Sequence, residues 1–187
     1  MGTVKSLLLG MCFVLGACTS QTSTVQTTEK GTQWEWQNGT IVVKTPERPA
    51  GQKSVLGLTT PKLEAVRVGF VGLGMRGPGA VERFTYIPGT QVVALCDYEE
   101  ARADKCQELL KKASMPKAAV YSGDKGYEEL CKRDDIDLVY IAADWLHHFP
   151  VAKCALENGK NVAIEVPSAM NLQECWDLIN LSAVSYT

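Results

Sequence analysis

Three glycines at positions 72, 74 and 77 stand directly after the run Val66-Arg67-Val68-Gly69-Phe70-Val71. A run of that length, apolar and rich in β-branched residues, suits a strand buried on both faces of a parallel sheet. The spacing Gly72-x-Gly74-x-x-Gly77 then suits a turn into a helix whose free N–H groups and positive end face a phosphate. Gly72 permits the tight turn, Gly74 lets backbone approach a pyrophosphate, and Gly77 lets the helix lie close to the strand. A second half of the pattern is present. Gln91-Val92-Val93-Ala94-Leu95-Cys96 reads as another buried strand and ends on Asp97, 25 residues after Gly72. An acid about 20 residues after the first glycine is where the ribose of a dinucleotide is held. A carboxylate there accepts from the ribose hydroxyls and repels a 2′-phosphate, which favours NAD over NADP. The competing reading is a glycine turn beside an unrelated strand-end Asp.

Two further strand ends carry chemistry. Asp144-Trp145-Leu146-His147-His148 holds both histidines of the chain. Adjacent histidines point in different directions and no further ligand cluster accompanies them, so no metal site is expected. A loop lining a cofactor fits better, with Trp145 as a flat apolar wall and His148 as a hydrogen-bonding partner for ribose or substrate. Trp145 plugging the core and His148 capping the next helix is the alternative. Glu165 ends a strand where a carboxylate would reach the nicotinamide side of such a pocket, or else face solvent.

These residues need elements to hold them, and the pattern supplies an alternation. After the first two strands, Glu99 to Ala113 has helical periodicity, with Ala103, Cys106, Leu110 and Ala113 on one stripe. Ala118 to Tyr121 reads as a short strand, and Asp124 as the cap of a helix carrying Tyr127, Leu130 and Cys131. Leu138 to Ala142 is a strand, Pro150 to Asn158 a helix stopped by Gly159, and Asn161 to Val166 a strand ended by Pro167. Asn171 and Glu174 resemble a capping box for a last helix with Leu172, Cys175, Trp176 and Ile179 inward. Strand and helix alternate throughout, so the fold class is α/β, a Rossmann-type doubly wound parallel sheet over residues 65–187. Ligands of such sheets collect beyond the carboxyl ends of the strands.

The chain has 187 residues, a formal net charge of −2 and 45% hydrophobic residues. With no basic cluster, neither nucleic acid nor an anionic surface is implied as a partner. Residues 1–17 hold one cation, Lys5, and an apolar run from Leu7 to Leu15 that is too short to span a bilayer and reads as a secretory signal. Leu15-Gly16-Ala17-Cys18 resembles the bacterial lipobox, which makes Cys18 the lipidated first residue of an exported protein, periplasmic or on the cell surface and touching membrane only through that anchor. Met1-Gly2-Thr3-Val4-Lys5-Ser6 also fits a myristoylation pattern, but leaves the apolar run without purpose. Residues 18–64 read as a Ser/Thr/Gln tether, a small hairpin around Asn38-Gly39 and an irregular Pro-containing stretch. The five cysteines after Cys18 (Cys96, Cys106, Cys131, Cys154 and Cys175) form no C-x-x-C and read as buried thiols.

The order of motifs from about residue 46 to 181 resembles the amino-terminal part of a glycoside hydrolase family 109 enzyme, within the Gfo/Idh/MocA oxidoreductase superfamily. The matching pieces are Pro46-Glu47-Arg48, the run from Val68 through Gly77-Pro78-Gly79-Ala80-Val81, Cys96-Asp97, Asp134-Asp135-Ile136-Asp137-Leu138-Val139-Tyr140, Asp144-Trp145-Leu146 and Val162-Ala163-Ile164-Glu165-Val166-Pro167. Ordinary members of the superfamily carry Glu-Lys-Pro, whose Lys assists proton transfer; Val166 in that place cannot, which favours the hydrolase over a sugar dehydrogenase. The resemblance implies action on terminal α-linked N-acetylgalactosamine. NAD⁺ takes hydride from C3 for a time, the aglycone leaves by elimination, water adds and the hydride returns. It also implies that Met75, Arg76, Asp97, Trp145, His148, Glu165 and Val166 contact NAD, with Arg76 placed to meet pyrophosphate charge. In the family a second, substrate-binding domain follows and supplies the catalytic residues, so none is assigned here. The tail Ala183 to Thr187 departs from the family pattern, and the expectation is a truncated chain with little glycosidase activity alone. The alternatives are a fragment of a secreted sugar oxidoreductase and a non-catalytic NAD-binding lipoprotein.

Overall fold

The computed structural model describes residues 26–27, 33–52, 56–57 and 59–185. Cys18 and residues 1–17, expected to be a secretory signal, lie outside the described residues. The chain divides into two compact units, Met1–Lys44 and Thr45–Thr187. In the first, β1 (Gln26–Thr27), β2 (Gln33–Gln37) and β3 (Thr40–Val43) form an antiparallel sheet. The hairpin expected around Asn38-Gly39 is present. Both turn residues take positive φ, 51° and 79°, as the tight two-residue turn that matches strand twist requires.

The second unit alternates β4 (Val66–Val71), α1 (Gly77–Phe84), β5 (Thr90–Asp97), α2 (Glu100–Lys112), β6 (Ala119–Ser122), α3 (Gly126–Cys131), β7 (Leu138–Ile141), α4 (Trp145–Glu157), β8 (Asn161–Ile164) and α5 (Leu172–Ser185). The strands make one parallel sheet in the order β6-β5-β4-β7-β8. The chain builds outward from β4 on one side and then jumps back across it, which opens a crevice between the ends of β4 and β7.

Alternate side chains of each strand feed two cores. Val68 and Phe70 of β4 pack with Leu73, Ala80 and Val81 at α1 and with Ala103, Cys106 and Leu110 of α2. Val71, Val139 and Ile141 point the other way, onto Leu130 and Cys131 of α3 and Val151, Ala152 and Ala155 of α4. Helices therefore cover both faces of the sheet, as the near-continuous apolar strands demand. Phe70, Phe84 and Tyr140 form an aromatic triangle with ring centroids 5.2 to 5.5 Å apart. Between Val68 and Gly69 the register with β5 slips by one residue, so Val93 is an extra residue on β5. At the amino ends of the strands, the Arg67 guanidinium grips the Asp137 carboxylate with Nε at 2.9 Å and Nη2 at 2.6 Å, and the Arg67 N–H adds a third bond. Those bonds to Arg67, against the opposing pull of burial, hold the Asp137 carboxyl below the usual carboxylate range.

Several sequence expectations need correction. Helix α4 begins at Trp145, not at Pro150. Asp144 caps it, accepting from the Leu146 N–H at 2.9 Å and the His147 N–H at 3.2 Å, and Pro150 lies inside it. Asp124 does not cap α3, whose first flanking residue is Lys125. Ala113 is exposed beyond the end of α2. The stripe expected to bury α5 is largely outward. Leu172, Cys175 and Ile179 are exposed, Trp176 is half-buried, and α5 instead packs through Leu178 and buries Ala183. The helix is apolar on more than one side, and α4 meets only one of them. Its capping box holds in a shifted form. Asn171 accepts from the Glu174 N–H at 3.0 Å, while Glu174 reaches back to the Met170 N–H at 2.7 Å.

Candidate dinucleotide site

The turn after β4 is built from close approaches that only glycine allows. Gly72 has φ of +90°, and a Cβ on it would lie 2.3 Å from the Ala143 nitrogen; on Gly77 a Cβ would lie 2.1 Å from the Gly72 oxygen. The turn after β4 thus presses on the turn after β7, and α1 presses on the turn. No side chain caps α1, and Pro78 lies in its first turn, so its amino end is open to an anion.

A cavity of about 750 Å³ lies over the carboxyl ends of β4, β5, β7 and β8, within the range of small-molecule and cofactor sites. Gly72, Gly74, Met75, Arg76, Asp97, Trp145, His148, Glu165 and Val166 all line it. Gly77 alone of the expected set does not; it is buried and supports the turn from below. Met75 and Val166 stand at the rim, 94% and 84% exposed, and Trp145 is 60% exposed, a wall and not a core plug.

Asp97 is only 6% exposed. Its Oδ2 accepts from the Leu73 N–H at 2.6 Å, and its Oδ1 accepts from the Glu99 N–H at 3.0 Å and from Arg102 at 3.3 Å. The acid thus clamps the glycine turn to the tip of β5 while bordering the cavity. Oδ1 is filled by its two donors, but Oδ2 accepts only from Leu73 and keeps capacity for one further donor, so a ribose hydroxyl can be added to this set.

His148 is 1% exposed, and its Nδ1 lies 2.7 Å from the Pro167 carbonyl oxygen. A carbonyl only accepts, so Nδ1 carries the proton and Nε2 of the neutral ring is an acceptor. That Nε2 is buried with no partner. An unpaired buried acceptor costs about 1–3 kcal/mol, and one bordering a cavity is relieved by a ligand N–H or O–H. Glu165 is not loose in solvent, since its Oε1 accepts from the Tyr140 hydroxyl at 2.7 Å. Burial, then that bond to Glu165, raises the Tyr140 hydroxyl above its ordinary range. Burial, then the neighbouring Asp97, pushes the Cys96 thiol at the cavity floor up to about 12.

Residues 66–184 match the model of the oxidoreductase family with an NAD-binding Rossmann fold named for Gfo, Idh and MocA. The chain belongs to the Gfo/Idh/MocA family. It is 79% identical over 183 residues to glycosyl hydrolase family 109 protein 4 of Phocaeicola vulgatus, covering 97% of this chain and 36% of that protein. It is 56% identical to family 109 protein 1 of Bacteroides thetaiotaomicron, covering 96% of this chain and 37% of that protein. The chain thus spans about a third of the length of the curated relatives it matches, at their amino-terminal part. Among solved structures, myo-inositol dehydrogenase from Lactobacillus casei in complex with NAD(H) and myo-inositol shares the fold at 24% identity and a TM-score of 0.53, over 63% of this chain and 33% of that one. Biliverdin reductase from Synechocystis in complex with biliverdin and NADP+ matches at 27% identity and a TM-score of 0.54, over 64% of this chain and 35% of that one.

Within this Gfo/Idh/MocA cavity stand residues that local sequence patterns did not single out. Arg102 bridges Asp97 and Glu99. His147 bonds Asp144 through Nδ1 at 2.6 Å and turns Nε2 toward Asp124 at 3.7 Å. Burial pulls the Asp144 carboxyl up, but the His147 ring and the N–H groups of Leu146 and His147 outweigh it and set it below the usual carboxylate range. Helical spacing could have signalled Arg102, one turn beyond Glu99. Nothing local could have signalled the meeting of His147 with Asp124. Among the described residues, no group of three or more His, Cys, Asp or Glu side chains is arranged to hold a metal ion, and no helix is long and apolar enough to cross a membrane.

Proposed function

We propose that the unit Thr45–Thr187 is the NAD-binding part of a glycosidase acting on terminal α-linked N-acetylgalactosamine, in a protein exported and lipid-anchored at Cys18. The observation that carries the reading is Glu165-Val166-Pro167 at the cavity rim of a chain 79% identical to a family 109 protein. Valine has no proton to give or take, so this chain offers none of the acid–base help that a lysine gives a sugar dehydrogenase at that place. When bound, NAD⁺ supplies a hydride acceptor for the sugar C3 and afterwards a hydride donor, so the glycosidic bond breaks by elimination and not by two-carboxylate displacement.

The chain's own residues hold and orient the cofactor. Asp97 receives the ribose hydroxyls, and its charge opposes a 2′-phosphate, which supports NAD over NADP. Arg102 does not offset this, because Asp97 and Glu99 already claim its guanidinium. The open end of α1 and Arg76 take the pyrophosphate. Trp145 covers an apolar face, His148 Nε2 accepts from the ligand, and Tyr140 fixes Glu165 at the cavity wall through their hydrogen bond. On this reading the chain alone binds NAD, and sugar chemistry belongs to the whole family protein.

Calorimetric titration with NAD and NADP tests the first part: saturable binding with NAD preferred is expected, and no binding would refute it. The second part is tested by a chimera in which this chain replaces the matching third of the Phocaeicola vulgatus relative. Release of chromophore from an α-N-acetylgalactosaminide is expected. Net NADH formation from free sugar without hydrolysis would instead establish a dehydrogenase.

A further inference from the structure

Strands β7 and β8 end side by side at one flank of the cavity, and a chain of contacts there runs from the core to its wall. Val139 and Ile141 of β7 face one core, so Tyr140 between them faces the other. Its ring lies against Phe70 and Phe84, with centroids 5.3 and 5.5 Å away. Phe70 is fully buried, and this packing fixes where the Tyr140 hydroxyl stands. Tyr140 pairs with Ala163 across the ladder, and Glu165 follows two residues later on the same face. The short Ala163 side chain leaves the phenol free to lean along β8, where its hydroxyl donates to Glu165 Oε1 at 2.7 Å. The Glu165 N–H donates in turn to the Ile141 carbonyl at 2.9 Å. Backbone and side chain of Glu165 are therefore both tied to β7.

Only one carboxylate oxygen of Glu165 is used in this way. Oε2 has no hydrogen-bond partner among the described residues, and Glu165 lines the cavity. The strand order β6-β5-β4-β7-β8 puts it across the glycine turn from Asp97. A dinucleotide whose pyrophosphate lies at that turn, and whose adenosine ribose meets Asp97, sends its nicotinamide half over β7 and β8. That half carries two kinds of donor, the ribose hydroxyls and the carboxamide N–H groups. Resting on the cofactor reading above, we propose that Tyr140 is a positioning residue for the nicotinamide half, holding Oε1 so that Oε2 of Glu165 stands as a fixed acceptor for one of those donors.

A glutamate side chain has several rotatable bonds, and stilling it on binding costs affinity. Tyr140 stills it beforehand. One hydrogen bond and the freedom of one side chain correspond to about a 3- to 10-fold change in dissociation constant. Burial, then Glu165, raises the Tyr140 hydroxyl above its ordinary range, so it stays a donor through neutral pH.

The test titrates the full chain calorimetrically with NAD, with ADP-ribose and with ADP, which carries the adenosine and pyrophosphate and nothing beyond. Tyr140→Phe keeps the ring in its aromatic triangle and removes only the hydroxyl. Its NAD dissociation constant should rise about 3- to 10-fold, while that for ADP stays within about twofold of wild type. Glu165→Ala should weaken NAD at least as much, and Tyr140→Phe added to it should have no further effect. A loss shared by NAD and ADP-ribose identifies a ribose hydroxyl as the donor, and a loss confined to NAD identifies the carboxamide; either supports the positioning role. Unchanged NAD affinity in Tyr140→Phe overturns it. So does an equal loss for ADP, the mark of a merely structural defect, and so do losses that add in the double variant. A wild-type chain that binds no NAD would instead refute the cofactor reading, and the positioning role with it.

Discussion

Replacing Asp97 by alanine separates its two roles, holding the glycine turn and holding the cofactor. In the native chain the carboxylate takes up the Leu73 N–H at 2.6 Å, the Glu99 N–H at 3.0 Å and Arg102 at 3.3 Å. Leu73 is buried, so its N–H finds no water when the acceptor goes, a loss of about 1–3 kcal/mol. Glu99 is exposed and its N–H rebinds solvent. The Arg102 side chain is 40% exposed, and a pair screened to that degree contributes about 1 kcal/mol at most. The sum is roughly 3 kcal/mol, most of it at Leu73, and lowers the melting temperature by about 5–10 °C in a unit of this size. Asp97→Asn keeps one oxygen for Leu73 but turns an NH2 toward the other donors, so it should lose less than half as much. Cofactor affinity should fall in both variants by about 10- to 100-fold, since both remove a charged acceptor. Thermal melts followed by circular dichroism, paired with NAD titration, measure the two effects separately. A melting temperature for Asp97→Ala within about 2 °C of wild type would refute the clamp. An unchanged NAD dissociation constant would refute the ribose contact.

Gly77→Ala should cost roughly 2–4 kcal/mol in a denaturant melt and abolish NAD binding, because its Cβ would meet the Gly72 oxygen at 2.1 Å and force α1 off the turn. His148→Phe keeps the bulk but removes the unpartnered acceptor, so NAD should bind about tenfold more weakly by calorimetry; equal affinity would show that Nε2 meets no ligand. For the Arg67–Asp137 pair, the folded carboxyl lies below its unfolded value of about 4. Its contribution is therefore fully present above that pH and is lost as the pH falls through the folded value. Melts from pH 7 to pH 3 should show a smaller acid loss in Asp137→Asn than in wild type, from a lower starting stability.

The strand-turn-helix at residues 66–84 was legible because its constraints are local. A buried strand needs apolar runs, and a turn pressed between two backbones needs glycine. Asp97 was legible because a strand of fixed rise carries its last residue a fixed distance from the turn. The start of α4 was not, because Pro150 imitates a helix start and Asp144 supplies a true one five residues earlier. That shift moves Trp145, His147 and His148 from a loop onto a helical turn, which sends His147 and His148 to different partners. The Tyr140–Glu165 and Arg67–Asp137 bonds join residues 25 and 70 positions apart, beyond the reach of any periodic pattern. In α5 the pattern marked an apolar stripe correctly as apolar, yet which side meets α4 depends on how the helix is rolled.

The extra residue in β5 has a consequence for the whole crevice. Val93 and Ala94 face the same core, so every residue after them is turned half a period from where strict alternation would put it. Were β5 to pair with β4 without that slip, Leu95 would stand beside Val71, and Cys96, not Asp97, would reach the place opposite the Leu73 amide. The swelling in one strand, well upstream of the tip, therefore acts as a phase shifter that decides whether a thiol or an acid emerges at the mouth.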